Sequence, residues 1–146
     1  MPGGFSQSYI ERVAAFRLAL REFLWRAESS AHECGITPRQ YLLLLFIKGA
    51  PRGAEAVTFG ELARMLKLSN NTVTGLVDRA AAAGLVRRRR SQADSRVVFL
   101  ELTPLGEEKL DCALEASEVD RHEFARAFAD LADAFGDTRS RRRRRT

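Results

Sequence analysis

Five short hydrogen-bonding side chains stand together in one segment: Ser69, Asn70, Asn71, Thr72 and Thr74. An Asn amide can bond the two adjacent polar groups on an adenine edge, and Thr offers a methyl to thymine and a hydroxyl to bases or phosphate. Arg79 follows on the same segment. Arg87, Arg88, Arg89 and Arg90 then run together, with Asp94 and Arg96 just beyond. Guanidinium groups suit phosphates and narrow, negative grooves. Each signal has a plainer explanation. Ser and Asn are common as simple helix caps, and a charge run is commonly a solvated face. What favours groove binding is the clustering: five polar positions before an apolar stripe, and the basic run directly after it.

Other chemistry is poorly supplied. There is no Gly-rich phosphate loop, no nucleophile elbow and no histidine-based metal pair, so neither an enzyme nor a cofactor is expected. His32 and Cys34 are spaced i, i+2, which does not put both ligands on one helix face, and His122 is distant. Cys34 and Cys112 are far apart, with no CxxC and no secretory signal, which argues against a disulfide-built secreted module. Glu33 and Asp111 beside them would raise a thiol pKa, which argues against an activated thiolate. The longest apolar run, Tyr41 to Ile47, is too short to span a bilayer. These features predict a cytoplasmic protein with no membrane association.

The elements that must hold the polar segment can be read from periodicity. Ile10, Val13, Phe16, Leu20, Phe23, Leu24 and Ala27 recur at helical steps, predicting a helix from Gln7 to about Cys34 that stops at Gly35. Thr37-Pro38-Arg39-Gln40 is a capping box with proline at the first turn, opening a mostly buried helix to Lys48. Thr58-Phe59-Gly60-Glu61 opens a short helix to about Leu66 in the same way. After the turn at Lys67-Leu68, Ser69 caps a helix to about Ala83 whose inner stripe is Val73, Leu76, Val77 and Ala80. Leu85 to Arg90 and Arg96 to Leu102 read as two strands around a turn at residues 91–95. Thr103-Pro104 starts a long acidic helix toward Phe128, with a break and a short last helix to Phe135. Together these describe a winged helix-turn-helix, mainly α (α+β).

Charge follows the same division. The 146 residues carry a formal net charge of +5, but Arg139 and Arg141 to Arg145 supply six bases near the end of the chain. Between Thr58 and Leu100 there are eight bases against three acids; from Glu101 to Asp137 there are three bases against eleven acids. A positive lobe therefore precedes an acidic one, the separation expected of a DNA reader.

Seven fragments in order resemble the multiple-antibiotic-resistance regulator (MarR) family: residues 35–41 (GITPRQY), Glu61-Leu62-Ala63, Thr72-Val73-Thr74, Leu76-Val77-Asp78-Arg79, residues 84–88 (GLVRR), Asp94-Ser95-Arg96 and residues 102–106 (LTPLG). The resemblance covers roughly Tyr9 to Phe128. It implies a bacterial homodimer that regulates transcription, commonly as a repressor, by binding palindromic double-stranded operator DNA. It implies N- and C-terminal helices forming an intertwined dimerisation region. The divisions expected are a dimerisation helix at 7–35, a DNA-binding lobe at 36–103 with its wing at 86–102, dimerisation helices at 104–135, and a disordered Arg-rich tail at 136–146. DNA contacts would fall on Ser69, Asn70, Asn71, Thr72, Thr74, Arg79, Arg88, Arg89, Arg90, Asp94 and Arg96, with Arg96 in the minor groove and Asp94 orienting it through an ion pair. A small anionic or phenolic effector would sit among Arg17, Arg21, Trp25, Tyr41 and Phe46. The sequence departs from the family at Gly75, where a bulkier and often basic residue is usual, and in its polar C-terminal tail. The dimer would then lean on the first helix and on Leu110, Leu114, Val119, Phe124 and Phe128. Peroxide-sensing members place a reactive cysteine near the start of the first helix, where this chain has none. Two alternatives remain: a winged-helix protein-interaction module, and a redox-responsive regulator acting through Cys34 or Cys112.

Overall fold

The structure is a computed structural model that describes residues 4–50 and 57–143. Its elements are α1 (Gln7–Glu33), α2 (Pro38–Lys48), α3 (Phe59–Leu66), α4 (Asn70–Ala82), β1 (Val86–Arg90), β2 (Val98–Leu102), α5 (Pro104–Ala116) and α6 (Glu118–Arg143). This is the expected mainly helical winged helix-turn-helix. Among the described residues no helix is long and apolar enough to cross a membrane.

Local chemistry fixes the helix ends. Thr37 and Thr58 each accept the backbone N–H three residues on, while Gln40 and Glu61 reach back to the cap N–H, completing both capping boxes. α1 stops at Gly35, where the Ile36 N–H donates to Ala31 O at 3.2 Å. α4 ends the same way, with Gly84 in the left-handed region at φ +76° and the Leu85 N–H donating to Ala80 O at 2.9 Å. This closure satisfies terminal carbonyls, and it is open to glycine because no Cβ opposes the positive φ.

Residues 28–116 form one compact unit. Leu43, Leu44 and Ile47 of α2, Leu62 of α3, Val73, Leu76, Val77 and Ala80 of α4, and Leu100 and Leu102 of β2 build its core. The stripe expected on α4 is thus the stripe that is buried. The strands pair antiparallel with Arg87 opposite Glu101 and Arg89 opposite Phe99. Leu100 N–H also donates to Val57 O at 3.1 Å, so the outer side of β2 is partly covered. Leu110 is buried in this core and Leu114 packs against it. The family resemblance places both at a dimer interface. α5 turns them inward because Gly106 and Leu110 lie one turn apart on its buried face.

A disulfide joins Cys34, just past α1, to Cys112 on α5, with Cα atoms 6.0 Å apart. A sequence separation of 78 hid this pairing, since only the folded unit brings the end of α1 to α5.

α1 up to Ala27 and the residues from Ser117 onward form the second unit. Phe23 stacks on Phe124 at 4.8 Å, Phe16 meets Phe128 at 5.8 Å, and Tyr9 meets Phe135 edge-on at 5.8 Å. Arg26 pairs with Asp120 and Glu123. Among the described residues no apolar side chain of this unit is fully buried. Ile10, Leu18, Leu24, Trp25, Val119 and Phe128 stay exposed. The helix break falls at Ser117, earlier than expected, and α6 continues to Arg143. The Arg-rich segment expected to be disordered is therefore helical as far as Arg143; residues 144–146 lie outside the described residues. Arginine is a good helix former, and cations near a helix C-terminus complement its dipole, so the segment extends α6 without apolar residues.

Both ends of the hairpin are tied to one place. Thr103 N–H donates to Leu85 O at 3.0 Å, and the Thr103 hydroxyl donates to Gly84 O while accepting from the Gly106 N–H at 3.0 Å. A Cβ on Gly106 would lie 2.0 Å from Leu85 O. Gly106→Ala is expected to lower stability by about 1–3 kcal/mol through overpacking against backbone. Urea denaturation checks this, and an unchanged midpoint would contradict the close approach.

Candidate nucleic-acid interface

α4 and the hairpin carry the polar face. Ser69 caps α4: its hydroxyl accepts from the Thr72 N–H at 3.2 Å and lies 2.8 Å from the Thr72 hydroxyl. Ser69 and Thr72 are thus occupied with each other at the helix start. With Val73, Leu76, Val77 and Ala80 buried, helical periodicity leaves Asn70, Asn71 and Thr74 exposed. The Thr74 hydroxyl donates to Asn70 O at 2.9 Å, which uses its proton but leaves the oxygen able to accept. The side chains best placed to meet base edges are therefore Asn70 and Asn71, with Thr74 as an acceptor.

The Arg79 guanidinium lies beside Gly75: a Cβ there would meet Arg79 Nη1 at 3.4 Å, an ordinary van der Waals distance, so Arg79 does not require glycine at this position.

The turn of the hairpin is self-organised. Ser91 Oγ accepts the Ala93 and Asp94 N–H groups at 3.2 and 3.3 Å, and Val97 N–H donates to Asp94 O at 3.0 Å. Asp94 then receives three hydrogen bonds from Arg96: backbone N–H at 3.0 Å, Nε at 3.1 Å and Nη2 at 3.3 Å. A side chain held by both carboxylate oxygens has a fixed plane and direction. The Arg96 side chain is nonetheless 89% exposed. It is an oriented cation presented to solvent. Arg96 in turn holds the Asp94 carboxyl below its ordinary value of 3.8, first through the side-chain hydrogen bonds and then through the backbone one.

The arginine run behaves differently from a free basic stripe, because strand alternation splits it. Arg88 and Arg90 share a face with buried Val86, while Arg87 and Arg89 face the other way. Arg88 pairs with Asp78 of α4, and its guanidinium lies 5.6 Å from the Phe59 ring centroid. Arg87 Nε donates to Glu101 Oε1 at 2.6 Å, and Arg89 Nε lies 3.7 Å from Glu101 Oε2. Arg90 is exposed and forms no ion pair among the described residues. The acids that engage the run, Asp78 and Glu101, were not singled out from sequence. Glu101 could have been found only by fixing the strand register, and Asp78 only by knowing which strand face meets α4.

The residues expected to hold an effector divide between the two units. Arg17, Arg21 and Trp25 are exposed on α1, at four-residue steps on one face. Tyr41 and Phe46 are half-buried against the core of residues 28–116. Within the α1–α6 unit there is an apolar groove lined by Phe16, Phe128, Leu131, Ala132 and Phe135, which includes none of the five.

A family model described as MarR family matches residues 35–97. The chain is 30% identical over 132 residues to an uncharacterized HTH-type transcriptional regulator, YsmB, of Bacillus subtilis (strain 168), covering 88% of this chain and 83% of that protein. It is also 30% identical over 108 residues to the organic hydroperoxide resistance transcriptional regulator of the same organism, covering 73% and 71%. Among solved structures, a mutant MarR from E. coli complexed with operator DNA is similar in fold, with a TM-score of 0.66 at 20% identity over 93% of this chain and 99% of that one.

The Asp94–Arg96 pair has a signature in pH. Because the folded pKa of Asp94 is depressed, the pair persists above the ordinary carboxylate value and is lost only as pH falls through the lower folded value. NMR titration is expected to show Asp94 titrating below 3.8. In Arg96→Ala it should return toward that value. An unchanged titration in the variant would contradict the pairing.

Proposed function

The chain belongs to the MarR family of transcription regulators, and on that premise we propose that it binds a palindromic operator as a homodimer. In this reading it represses transcription until a small anionic or phenolic effector binds. Each α4 enters the major groove of one half-site, with Asn70, Asn71 and Thr74 at base edges, and each hairpin tip lies in flanking minor groove. The observation that carries the reading is Arg96, clamped by Asp94 yet almost wholly exposed. A pre-oriented guanidinium suits the negative potential of a narrow minor groove. The operator complex of the E. coli MarR mutant supports the DNA partner. Exposed Ile10, Leu18, Leu24, Trp25 and Val119 on the α1–α6 unit support a second copy as the cover for that surface. Action on operator DNA puts the protein in the bacterial cytoplasm, at the nucleoid.

A second reading rests on the Cys34–Cys112 bond. In it, oxidation state sets DNA affinity: a dithiol reductant breaks the S–S bond, supplying two electrons and two protons, and leaves two free thiols. The similarity to an organic hydroperoxide resistance regulator supports it. The acidic neighbours Glu33 and Asp111 weigh against a fast-reacting thiolate at either site.

Selection from random duplex DNA tests the main reading. The expected result is an enriched inverted repeat with half-sites about one helical turn apart. Arg96→Ala should weaken binding to the enriched sequence by about 10- to 100-fold, the cost of a lost groove contact, with the fold intact by circular dichroism. No enriched sequence, or unchanged affinity in the variant, would contradict the proposal and favour a protein-interaction module. Dithiothreitol separates the two modes of control. The redox reading predicts a change in operator affinity that Cys112→Ser abolishes, whereas effector control alone predicts no change.

A further inference from the structure

Among the wing's charges, Glu101 stands out because it engages two cations at once. Antiparallel register puts Arg87 directly opposite it, and strand alternation puts Arg89 on the same face. Arg87 Nε donates to one carboxylate oxygen at 2.6 Å and Arg89 Nε faces the other at 3.7 Å. The Glu101 side chain is only 24% exposed, against 60% for Arg87 and 37% for Arg89. Glu101 is thus the fixed, partly desolvated member, so the cluster is less weakened by solvent than an ordinary surface pair. We propose that Glu101 is a specificity-determining residue: it holds Arg87 and Arg89 away from DNA phosphates and so lowers the wing's affinity for DNA of any sequence.

The effect is electrostatic. Phosphate contacts from arginine supply affinity that depends on salt and carries no sequence information. An unopposed run of four arginines would add that affinity to every site in a genome. What matters to a regulator is the ratio of specific to non-specific binding. Engaging Arg87 and Arg89 on Glu101, and Arg88 on Asp78, leaves Arg90 and the clamped Arg96 as the cations nearest the hairpin turn. Glu101 acts as an internal competitor with the negative charge and planar oxygens that a phosphate would offer.

This inference rests on the DNA-binding reading, and its test separates the two. The full chain is titrated into a 30-base-pair duplex of mixed sequence, with fluorescence anisotropy read across a sodium chloride series. Glu101→Gln is expected to bind about 3- to 10-fold tighter at low salt, and its log–log salt slope should steepen by about 2 per subunit. The paired substitution Arg87→Gln with Arg89→Gln should cost less than twofold in the native background, yet remove the gain in the Glu101→Gln background. The arginine cost in the native background does not depend on how Glu101→Gln folds, and a cost well above twofold there would also contradict the proposal. Equal or weaker binding by Glu101→Gln would make Glu101 a support for phosphate contacts and overturn the proposal. So would an arginine cost that is the same in both backgrounds, which is the mark of simple charge addition. No binding of the native chain to the duplex at low salt would instead overturn the DNA reading, and this proposal with it.

Discussion

The close approach of Gly106 to the Leu85 carbonyl fixes where the wing can be. Four chain segments meet there: the end of α4, the start of β1, the end of β2 and the start of α5. Thr103 binds them with its backbone N–H and its hydroxyl, and Gly106 lets α5 pass within a distance that no Cβ would allow. With both ends of the hairpin anchored at one point, the turn at residues 91–95 is a lever whose root is fixed relative to α4. The direction of Arg96 relative to Asn70 and Asn71 follows from that anchorage together with the Asp94 clamp.

Charge in this lobe is arranged by pairing more than by amount. An excess of bases between Thr58 and Leu100 suggests a broad phosphate-binding surface. The structure engages much of that excess internally: Arg87 and Arg89 with Glu101, Arg88 with Asp78, and Arg96 with Asp94. These pairs differ in consequence. Asp94 orients a cation that remains exposed, whereas Asp78 ties the hairpin to α4 through an arginine that also lies over Phe59. The same ion-pair chemistry thus orients one guanidinium toward solvent and fastens another between two elements.

The helical framework was legible because its signals are local. Thr37 with Gln40 and Thr58 with Glu61 are complete in four residues, and the Val73, Leu76, Val77 and Ala80 stripe needs only periodicity. Asp94 and Arg96 are two apart, so their pairing was also within reach. Local pattern does not carry which segments meet in the fold. The Cys34–Cys112 bond and the Glu101 cluster require knowing which distant segments meet. The family resemblance puts Leu110 and Leu114 at an interface, and nothing local says which apolar stripe of α5 turns toward the core. The end of α6 lacks apolar residues, yet helix propensity and the terminal dipole need none.

In the proposed reading the polar face of α4 and the clamped tip of the hairpin form one DNA-reading surface. Amide chemical-shift mapping by NMR, with a duplex carrying the selected sequence, is the decisive measurement. The largest shifts are expected at Asn70, Asn71, Thr74, Arg90 and Arg96, with Phe16, Phe23 and Phe124 little changed. Shifts concentrated on the α1–α6 unit, or on the hairpin without α4, would contradict it.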